Sequence, residues 1–148
     1  MKTTTYSNLS LGDKKLLDAA EKATRNSYSP HSGFKVGAAL LAGGEIISAA
    51  NVENSSYPLA ICAEMAAVAK AVSMGKRKFS AIAVIAKSGR KKGEVLTPCG
   101  GCRQVLHEFS KVQKKDIRVI MSDQMKKKVA VAMLSELLPS AFGHEHLR

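Results

Sequence analysis

The sequence predicts a mixed α/β fold with three layers, α/β/α, around a mixed sheet of five strands. Apolar residues recur either at helical spacing or as short runs between turn residues, and the two kinds of segment alternate along the chain. With 148 residues, of which 45% are hydrophobic, the chain is long enough to bury a core. We expect a single domain over residues 1–148, with a flexible N-terminus at 1–9 and a tail at 143–148.

Four segments have the features of helices. The first carries apolar residues at the spacing of one helical face and has a start signal at Ser10. The second is rich in alanine and ends at Gly75, the third has one apolar face, and the fourth is short and precedes Pro139. Their predicted ranges are 11–26, 61–74, 99–110 and 134–138.

Five short apolar segments have the features of strands. The first two flank Gly43 and Gly44, which predict a hairpin turn. The last is also compatible with the start of the final helix. Their predicted ranges are 36–41, 45–50, 81–86, 117–121 and 129–133.

The chain carries a formal net charge of +11. The basic residues form short runs at 76–78, 90–92, 114–115 and 126–128, where we expect turns or the ends of elements. Aromatic residues make up 5% of the chain, and none is interleaved with these runs as a platform for stacking bases. A solvated basic surface is therefore favoured over a nucleic-acid groove.

The cysteine content and the apolar segments bear on location. No apolar run has the length of a membrane span, and residues 1–6 lack the apolar segment of a secretory signal. Three cysteines, an odd number, cannot all pair within one chain. We expect a cytoplasmic protein without a membrane partner.

All three cysteines belong to two short motifs, Cys62-x-Glu64 and Pro98-Cys99-x-x-Cys102. Three thiolates occupy three positions of a tetrahedral zinc ion and leave the fourth for water, as in catalytic sites. A nearby carboxylate that is not a ligand then transfers protons. The alternative is a structural zinc site, which needs a fourth protein ligand; His31 and His107 lack helpful spacing for that role.

Both motifs fall at predicted helix starts. Cys62 and Glu64 begin one helix, and Cys99 and Cys102 begin another. The free N–H groups and positive dipole end of a helix N-terminus favour thiolate over thiol. Because Glu64 lies two residues after Cys62, the two side chains point in different directions, so one can bind metal while the other reaches the substrate.

Several segments, in order along the chain, make it resemble cytidine deaminases of the small homotetrameric type whose zinc is held by three cysteines. The resemblance covers residues 10 to 142 and implies the cytidine deaminase-like fold. The matching segments are Tyr28-Ser29-Pro30, Phe34-Lys35-Val36-Gly37-Ala38-Ala39-Leu40, Asn51-Val52-Glu53-Asn54-Ser55-Ser56-Tyr57, Ile61-Cys62-Ala63-Glu64, Pro98-Cys99-Gly100-Gly101-Cys102-Arg103-Gln104 and Leu137-Leu138-Pro139-Ser140-Ala141-Phe142.

The resemblance implies a role for each site residue. One zinc ion per subunit is bound by the three cysteines, and Glu64 is the proton shuttle. Asn51 and Glu53 are implied to bind the ribose hydroxyls, chiefly the 3′ one, and Phe34 to pack against the nucleoside. The Ala63 backbone N–H is implied to bind the pyrimidine carbonyl. Tyr57 and Phe142 are implied to lie near subunit contacts, with Phe142 over the base in a neighbour's site. Without the resemblance, Asn51 and Glu53 read as turn formers. The alternatives for the other two are a helix N-terminal carboxylate for Glu64 and a core residue for Phe142, whose position near Gly143 and His144 favours an interface.

The implied reaction is hydrolytic deamination of cytidine and 2′-deoxycytidine to uridine and 2′-deoxyuridine with release of ammonia, as in pyrimidine salvage. An alternative substrate is a cytosine-containing antibiotic or a modified cytidine. The charge of +11 keeps a nucleic-acid deaminase as a weaker alternative. A zinc-binding module without activity is a third.

Met65 departs from the family pattern, in which many members have arginine directly after the glutamate. The arginine offsets the negative charge of three thiolates on one divalent ion, and Arg103 is another source of positive charge in this chain. A site without such a cation is more electron-rich, and its water is less acidic.

We therefore predict a modest alkaline shift of the activity profile, which Met65→Arg reverses toward lower pH. The pH dependence of kcat/KM in the wild type and this variant measures the shift, with Met65→Leu as a control that adds no charge. An unchanged profile in Met65→Arg would contradict the hypothesis.

Overall fold

A computed structural model describes residues 1–87 and 93–147, and its centre is one six-stranded sheet. The strand order is β1-β6-β5-β4-β2-β3. The central pair β4 and β5 is parallel, and every other neighbouring pair is antiparallel. The strands are β1 (Lys2–Thr4), β2 (Lys35–Ala42), β3 (Glu45–Ala50), β4 (Phe79–Lys87), β5 (Arg118–Ser122) and β6 (Val129–Met133).

Helices cover both faces of the sheet and confirm the predicted three layers. They are α1 (Leu11–Ala23), α2 (Ala63–Ser73), α3 (Gly100–Val112) and α4 (Leu134–Leu137). One core cluster joins α1 to one face of the sheet, and the other joins α2, α3 and α4 to the opposite face. No helix in the described ranges is both long and apolar enough to cross a membrane.

Strand β4 is buried on both faces, which explains its continuous apolar sequence. Ala83 and Ile85 belong to the cluster under α1, whereas Ile82 and Val84 belong to the cluster under α2 and α3. The period of two in a strand sends alternate side chains to opposite faces. This strand therefore connects the two cores.

The helix and strand ranges agree closely with the predicted ones. Ser10 caps α1, because its hydroxyl oxygen accepts a hydrogen bond from the Asp13 backbone N–H at 3.1 Å. The first predicted helix is shorter than expected: its last turn, Thr24–Asn26, is a 3-10 helix. Segment 129–133 is a strand that leads directly into α4, which resolves the open alternative.

The predicted number of strands is wrong by one. The sixth strand, β1, comes from the segment we expected to be a flexible N-terminus, and it pairs with β6 through Lys2↔Val131 and Thr4↔Val129. Its polar sequence lacks the apolar alternation of a strand, since this short edge strand is held by backbone pairing. In the expected tail, His144–Leu147 forms a 3-10 helix.

Three of the basic runs lie between elements, as predicted, and the run 90–92 lies outside the described residues. Lys78 and Lys115, from two different runs, line one concavity of about 380 Å³ at the start of β4. The charge of Lys126, from a third run, is compensated by ion pairs with Asp18 and Glu21. Part of the net charge is thus gathered at one end of the sheet.

Gly37 allows α1 to lie unusually close to the sheet. A Cβ at this position of β2 would lie 2.0 Å from the Ala20 carbonyl oxygen and 3.0 Å from Thr24 Cγ2. The backbone of a helix cannot move aside without disturbing the whole layer. The glycine is therefore a packing requirement of the α1 face.

We predict that Gly37→Ala lowers the free energy of unfolding by about 1–3 kcal/mol, the usual cost of overpacking. Gly12→Ala is the matched control, because its Cβ in exposed α1 would have Ser10 Oγ as its nearest neighbour at 3.9 Å. This control should stabilise by up to about 1 kcal/mol through helix propensity. Urea titrations measure both, and a stable Gly37→Ala variant would contradict the packing argument.

Candidate active site

The N-termini of two helices bring the three cysteines together. Cys62 is the N-cap residue of α2, and Cys99 is the N-cap residue of α3, with Cys102 in the first turn of α3. The three sulfur atoms lie within 4.8 Å of one another. Cys102 is buried, Cys62 half-buried and Cys99 exposed, so the group has one side open to the surface.

The donor set of this cluster fits one zinc ion. Tetrahedral thiolate coordination with bonds of about 2.3 Å places sulfur atoms about 3.8 Å apart, which small rotations of these side chains reach. Thiolates are soft ligands that select such metals. Within the described residues neither His31 nor His107 joins the group, so the protein supplies three ligands there and not four.

The thiols differ in their protonation. Burial raises the pKa of Cys102, and the nearby Glu64 charge raises it further. Burial also raises the pKa of Cys62. Burial acts in the same direction on Cys99, but hydrogen bonds outweigh it, above all the Cys102 backbone N–H at 3.5 Å from Cys99 Sγ, and lower its pKa. Because a metal binds thiolates, metal binding here releases protons.

Glu64 lies in the first turn of α2, two residues after the ligand-type Cys62. It is 5% exposed, and burial raises the pKa of its carboxyl group. The helix N-terminus favours a carboxylate at this position, so the charge is tolerated despite burial. A buried carboxyl group with a raised pKa is suited to accept and return protons.

A cavity of about 240 Å³ opens beside the cysteines and Glu64. It joins the helix N-termini to the ends of β2 and β3. Five of the residues implied by the resemblance line it together with two of the cysteines. Leu96 and Thr97 add a wall that the sequence did not predict. The lining residues are Phe34, Val36, Asn51, Val52, Glu53, Ala60, Ile61, Cys62, Ala63, Glu64, Leu96, Thr97 and Cys99.

The Asn51 side chain is clamped by three hydrogen bonds. Its Oδ1 accepts from the Val36 backbone N–H at 2.8 Å and from Ser27 Oγ at 2.6 Å, while its Nδ2 donates to the Phe34 carbonyl oxygen at 2.9 Å. This arrangement sets the orientation of the amide. One N–H of Nδ2 has no protein acceptor among these contacts and is available to a ligand.

The Glu53 carboxylate is held by the loop that precedes β2. Oε2 accepts from the backbone N–H groups of His31 and Ser32 at 2.9 and 3.2 Å, and Oε1 accepts from the Ser32 hydroxyl. The Ser32 hydroxyl bond is the main cause that lowers the pKa of this carboxyl group. Glu53 is therefore an ionised acceptor on the cavity wall.

Tyr57 and Phe142 do not join the other predicted residues in the cavity. Their side chains are 78% and 56% exposed, and neither lines it. Phe142 stacks on His146 with ring centroids 5.3 Å apart, and its carbonyl oxygen accepts from Gln104 Nε2. Within one chain these two aromatic residues are surface residues.

Arg103 does not face the sulfur atoms. It donates to the carbonyl oxygens of Pro98 and Leu137 at 2.8 and 2.7 Å and so fastens the loop before α3 to the C-terminal segment. The Met65 methyl group lies between the two helix starts, 3.4 Å from the point that a Cβ atom added to Gly101 would occupy. In the described residues, the helix N-termini are thus the local source of positive potential at the thiols.

Sequence reasoning missed Ser27 and Ser32. Neither belongs to a metal or catalytic motif, and serines near a proline and a glycine are typical of turns. Their position before Phe34 gives no signal of a partner some twenty residues later. Only the fold shows that their hydroxyl groups contact Asn51 and Glu53.

Comparison with known proteins identifies the family. The family model for the "Cytidine and deoxycytidylate deaminase zinc-binding region" matches residues 11–117. A cytidine deaminase from Sporosarcina psychrophila is 42% identical over 135 residues, which cover 90% of this chain and 93% of that protein. The chain belongs to the cytidine and deoxycytidylate deaminase zinc-binding family.

Solved structures agree with the fold. The crystal structure of cytidine deaminase from Burkholderia pseudomallei matches with a TM-score of 0.78 at 37% identity, covering 90% of this chain and all (100%) of that one. A more distant relative is blasticidin-S deaminase from Bacillus cereus, 29% identical over 137 residues, with 89% and 93% of the two chains covered. The name of that relative refers to an antibiotic substrate.

We predict that Cys62→Ala, Cys99→Ala and Cys102→Ala each lower the zinc content of the purified protein well below one ion per chain. Two thiolates retain zinc far less strongly than three in the same pocket. Elemental analysis after dialysis against a weak chelator measures the content. Glu64→Gln is the matched control, since it removes the neighbouring charge and no ligand; equal zinc in all four variants would contradict the assignment.

Proposed function

We propose that this protein deaminates cytidine and 2′-deoxycytidine by hydrolysis, giving uridine or 2′-deoxyuridine and ammonia. The observation that carries the proposal is the buried Glu64 beside a three-thiol cluster on the wall of a cavity of about 240 Å³. Membership of a family named for this chemistry supports it. Zinc, bound by Cys62, Cys99 and Cys102, supplies a Lewis acid that makes water nucleophilic at neutral pH.

Glu64 performs the proton transfers. Its carboxylate accepts a proton from the water that attacks C4 of the cytosine ring and delivers it to the adjacent ring nitrogen, N3. It then passes the second proton of that water to the departing amine. One group serves both steps because burial raises the pKa of its carboxyl group, which makes it a better proton acceptor and so suits it to take up a proton and return it.

The remaining cavity residues bind the nucleoside. Asn51 offers one N–H donor and Glu53 offers a carboxylate acceptor, which together suit a sugar hydroxyl group. The Phe34 ring forms an apolar wall. The Ala63 backbone N–H, at the first position of α2, belongs to the helix N–H groups without an intrahelical acceptor and suits the pyrimidine carbonyl oxygen.

The assembly we propose is a homotetramer in which neighbouring subunits complete each site. The exposed aromatic rings of Tyr57 and Phe142 support this proposal, because such rings are enriched at interfaces. Free thiols in a metal-binding arrangement support a cytoplasmic location. A role in pyrimidine salvage follows from the proposed deamination of free nucleosides.

A nucleic-acid substrate is disfavoured by where the charge lies. The concavity between Lys78 and Lys115 is at the start of β4, whereas the candidate site is at the end of the sheet where the N-termini of α2 and α3 meet. A nucleic-acid strand bound along these two lysines would not lead into the cavity of the candidate site. A small nucleoside suits a cavity of about 240 Å³ better than a polymer does.

We predict that cytidine and 2′-deoxycytidine are turned over with ammonia release and a fall in absorbance, while cytosine and blasticidin S are poor substrates. Cytosine lacks the sugar that Asn51 and Glu53 are proposed to contact, so the hydrogen bonds that these two side chains would make to it are lost. Steady-state assays of the four compounds measure the ranking. Efficient turnover of blasticidin S without cytidine would replace the proposed substrate.

Glu64→Gln provides the control for this assay. The amide keeps the shape of the side chain but cannot move protons, so kcat should fall by about 10²–10⁴-fold with zinc content unchanged. Retained turnover would remove Glu64 from the mechanism.

A further inference from the structure

The Ser32 hydroxyl connects two walls of the cavity. It donates to Glu53 Oε1 and accepts from the Phe34 backbone N–H at 2.9 Å. One hydroxyl group therefore holds both the carboxylate and the start of the segment that carries the aromatic ring. Its own backbone N–H adds a third contact, to Glu53 Oε2 at 3.2 Å.

The Ser27 hydroxyl has a corresponding position beside Asn51. It donates to Asn51 Oδ1 at 2.6 Å, an oxygen that also accepts from the Val36 backbone N–H at 2.8 Å. Two donors occupy both lone pairs of that oxygen. Asn51 is consequently left with a donor and no acceptor for a ligand.

These contacts make the pair complementary to a sugar hydroxyl group. Glu53 is a pure acceptor, and the free N–H of Asn51 is a pure donor. A hydroxyl group that donates to Glu53 and accepts from Asn51 satisfies both, whereas a sugar without it leaves both unpaired. The complementarity is lost if either side chain rotates away from its serine.

We propose that Ser32 and Ser27 are positioning residues for sugar recognition, which orient Glu53 and Asn51 without contacting the substrate. The proposal rests on the proposed nucleoside deaminase function. It assigns the larger effect to Ser32, because Asn51 keeps two backbone hydrogen bonds without Ser27, whereas Glu53 Oε1 loses the one donor shown for it.

The test compares cytidine with 2′,3′-dideoxycytidine, which lacks both secondary hydroxyl groups of the ribose. Ser32→Ala should lower kcat/KM for cytidine by about tenfold, mainly through KM, and leave the dideoxynucleoside within about twofold. Ser27→Ala should lower kcat/KM for cytidine by about threefold. The ratio of the two kcat/KM values is the decisive quantity, because a general loss of structure lowers both substrates together.

Two controls accompany the measurement. Ser32→Thr keeps the hydroxyl group and should retain the wild-type ratio, and Ser73→Ala removes a hydroxyl at the far end of α2, where it contacts the Ala69 carbonyl oxygen. Zinc content and circular dichroism report whether each variant is folded.

The outcomes separate this inference from the function on which it rests. A wild type that turns over neither nucleoside overturns both. An active wild type whose substrate ratio is unchanged in Ser32→Ala, or is equally changed in Ser32→Thr, overturns the positioning role alone.

Discussion

The site depends on the meeting of two helix N-termini over one face of the sheet. Both α2 and α3 begin with a cysteine in the N-cap position, so the positive dipole ends of both helices lie beside the group of three sulfur atoms. Burial raises the pKa of Cys62 and Cys102, and three thiolates would repel one another, so the helix ends offset part of the cost of forming the thiolates that a metal binds. The parallel pairing of β4 and β5 makes it possible: α2 leads into β4 and α3 leads into β5, so both helices start at the same end of the sheet.

The rest of the cavity is built from extended segments that are themselves held by hydrogen bonds. Val52 pairs with Ile61 just before α2, and Tyr28 pairs with Asn51 and Glu53 through their backbones. These bridges tie the polar segment 51–53 to the loop before β2 on one side and to the start of α2 on the other. A displacement of either neighbour would therefore move Asn51 and Glu53 relative to Glu64, so the proposed sugar contacts and the proposed proton transfer share one set of supports.

Positive charge in this chain serves different purposes in different places. Lys87 at the end of β4 and Lys126 in the turn between β5 and β6 both pair with Glu21 on α1. Arg103, in contrast, donates to backbone carbonyl oxygens beside the cysteine loop. None of these groups faces the sulfur atoms. A high net charge is therefore compatible with a metal site whose local positive potential, among the described residues, comes from helix ends.

The layers, most element boundaries, the three cysteines and Glu64 could be predicted from the sequence, because helical period, strand runs and metal-ligand spacing are local patterns. The proposed roles of Asn51 and Glu53 came from resemblance, since as isolated residues they are ordinary turn formers. Three findings needed the fold: Lys2–Thr4 is a strand, Tyr57 and Phe142 lie outside the cavity of their own chain, and Ser27 and Ser32 hold Asn51 and Glu53. Edge pairing and side-chain hydrogen bonds across twenty or more residues depend on which segments the fold brings together, and no periodicity in the sequence encodes that.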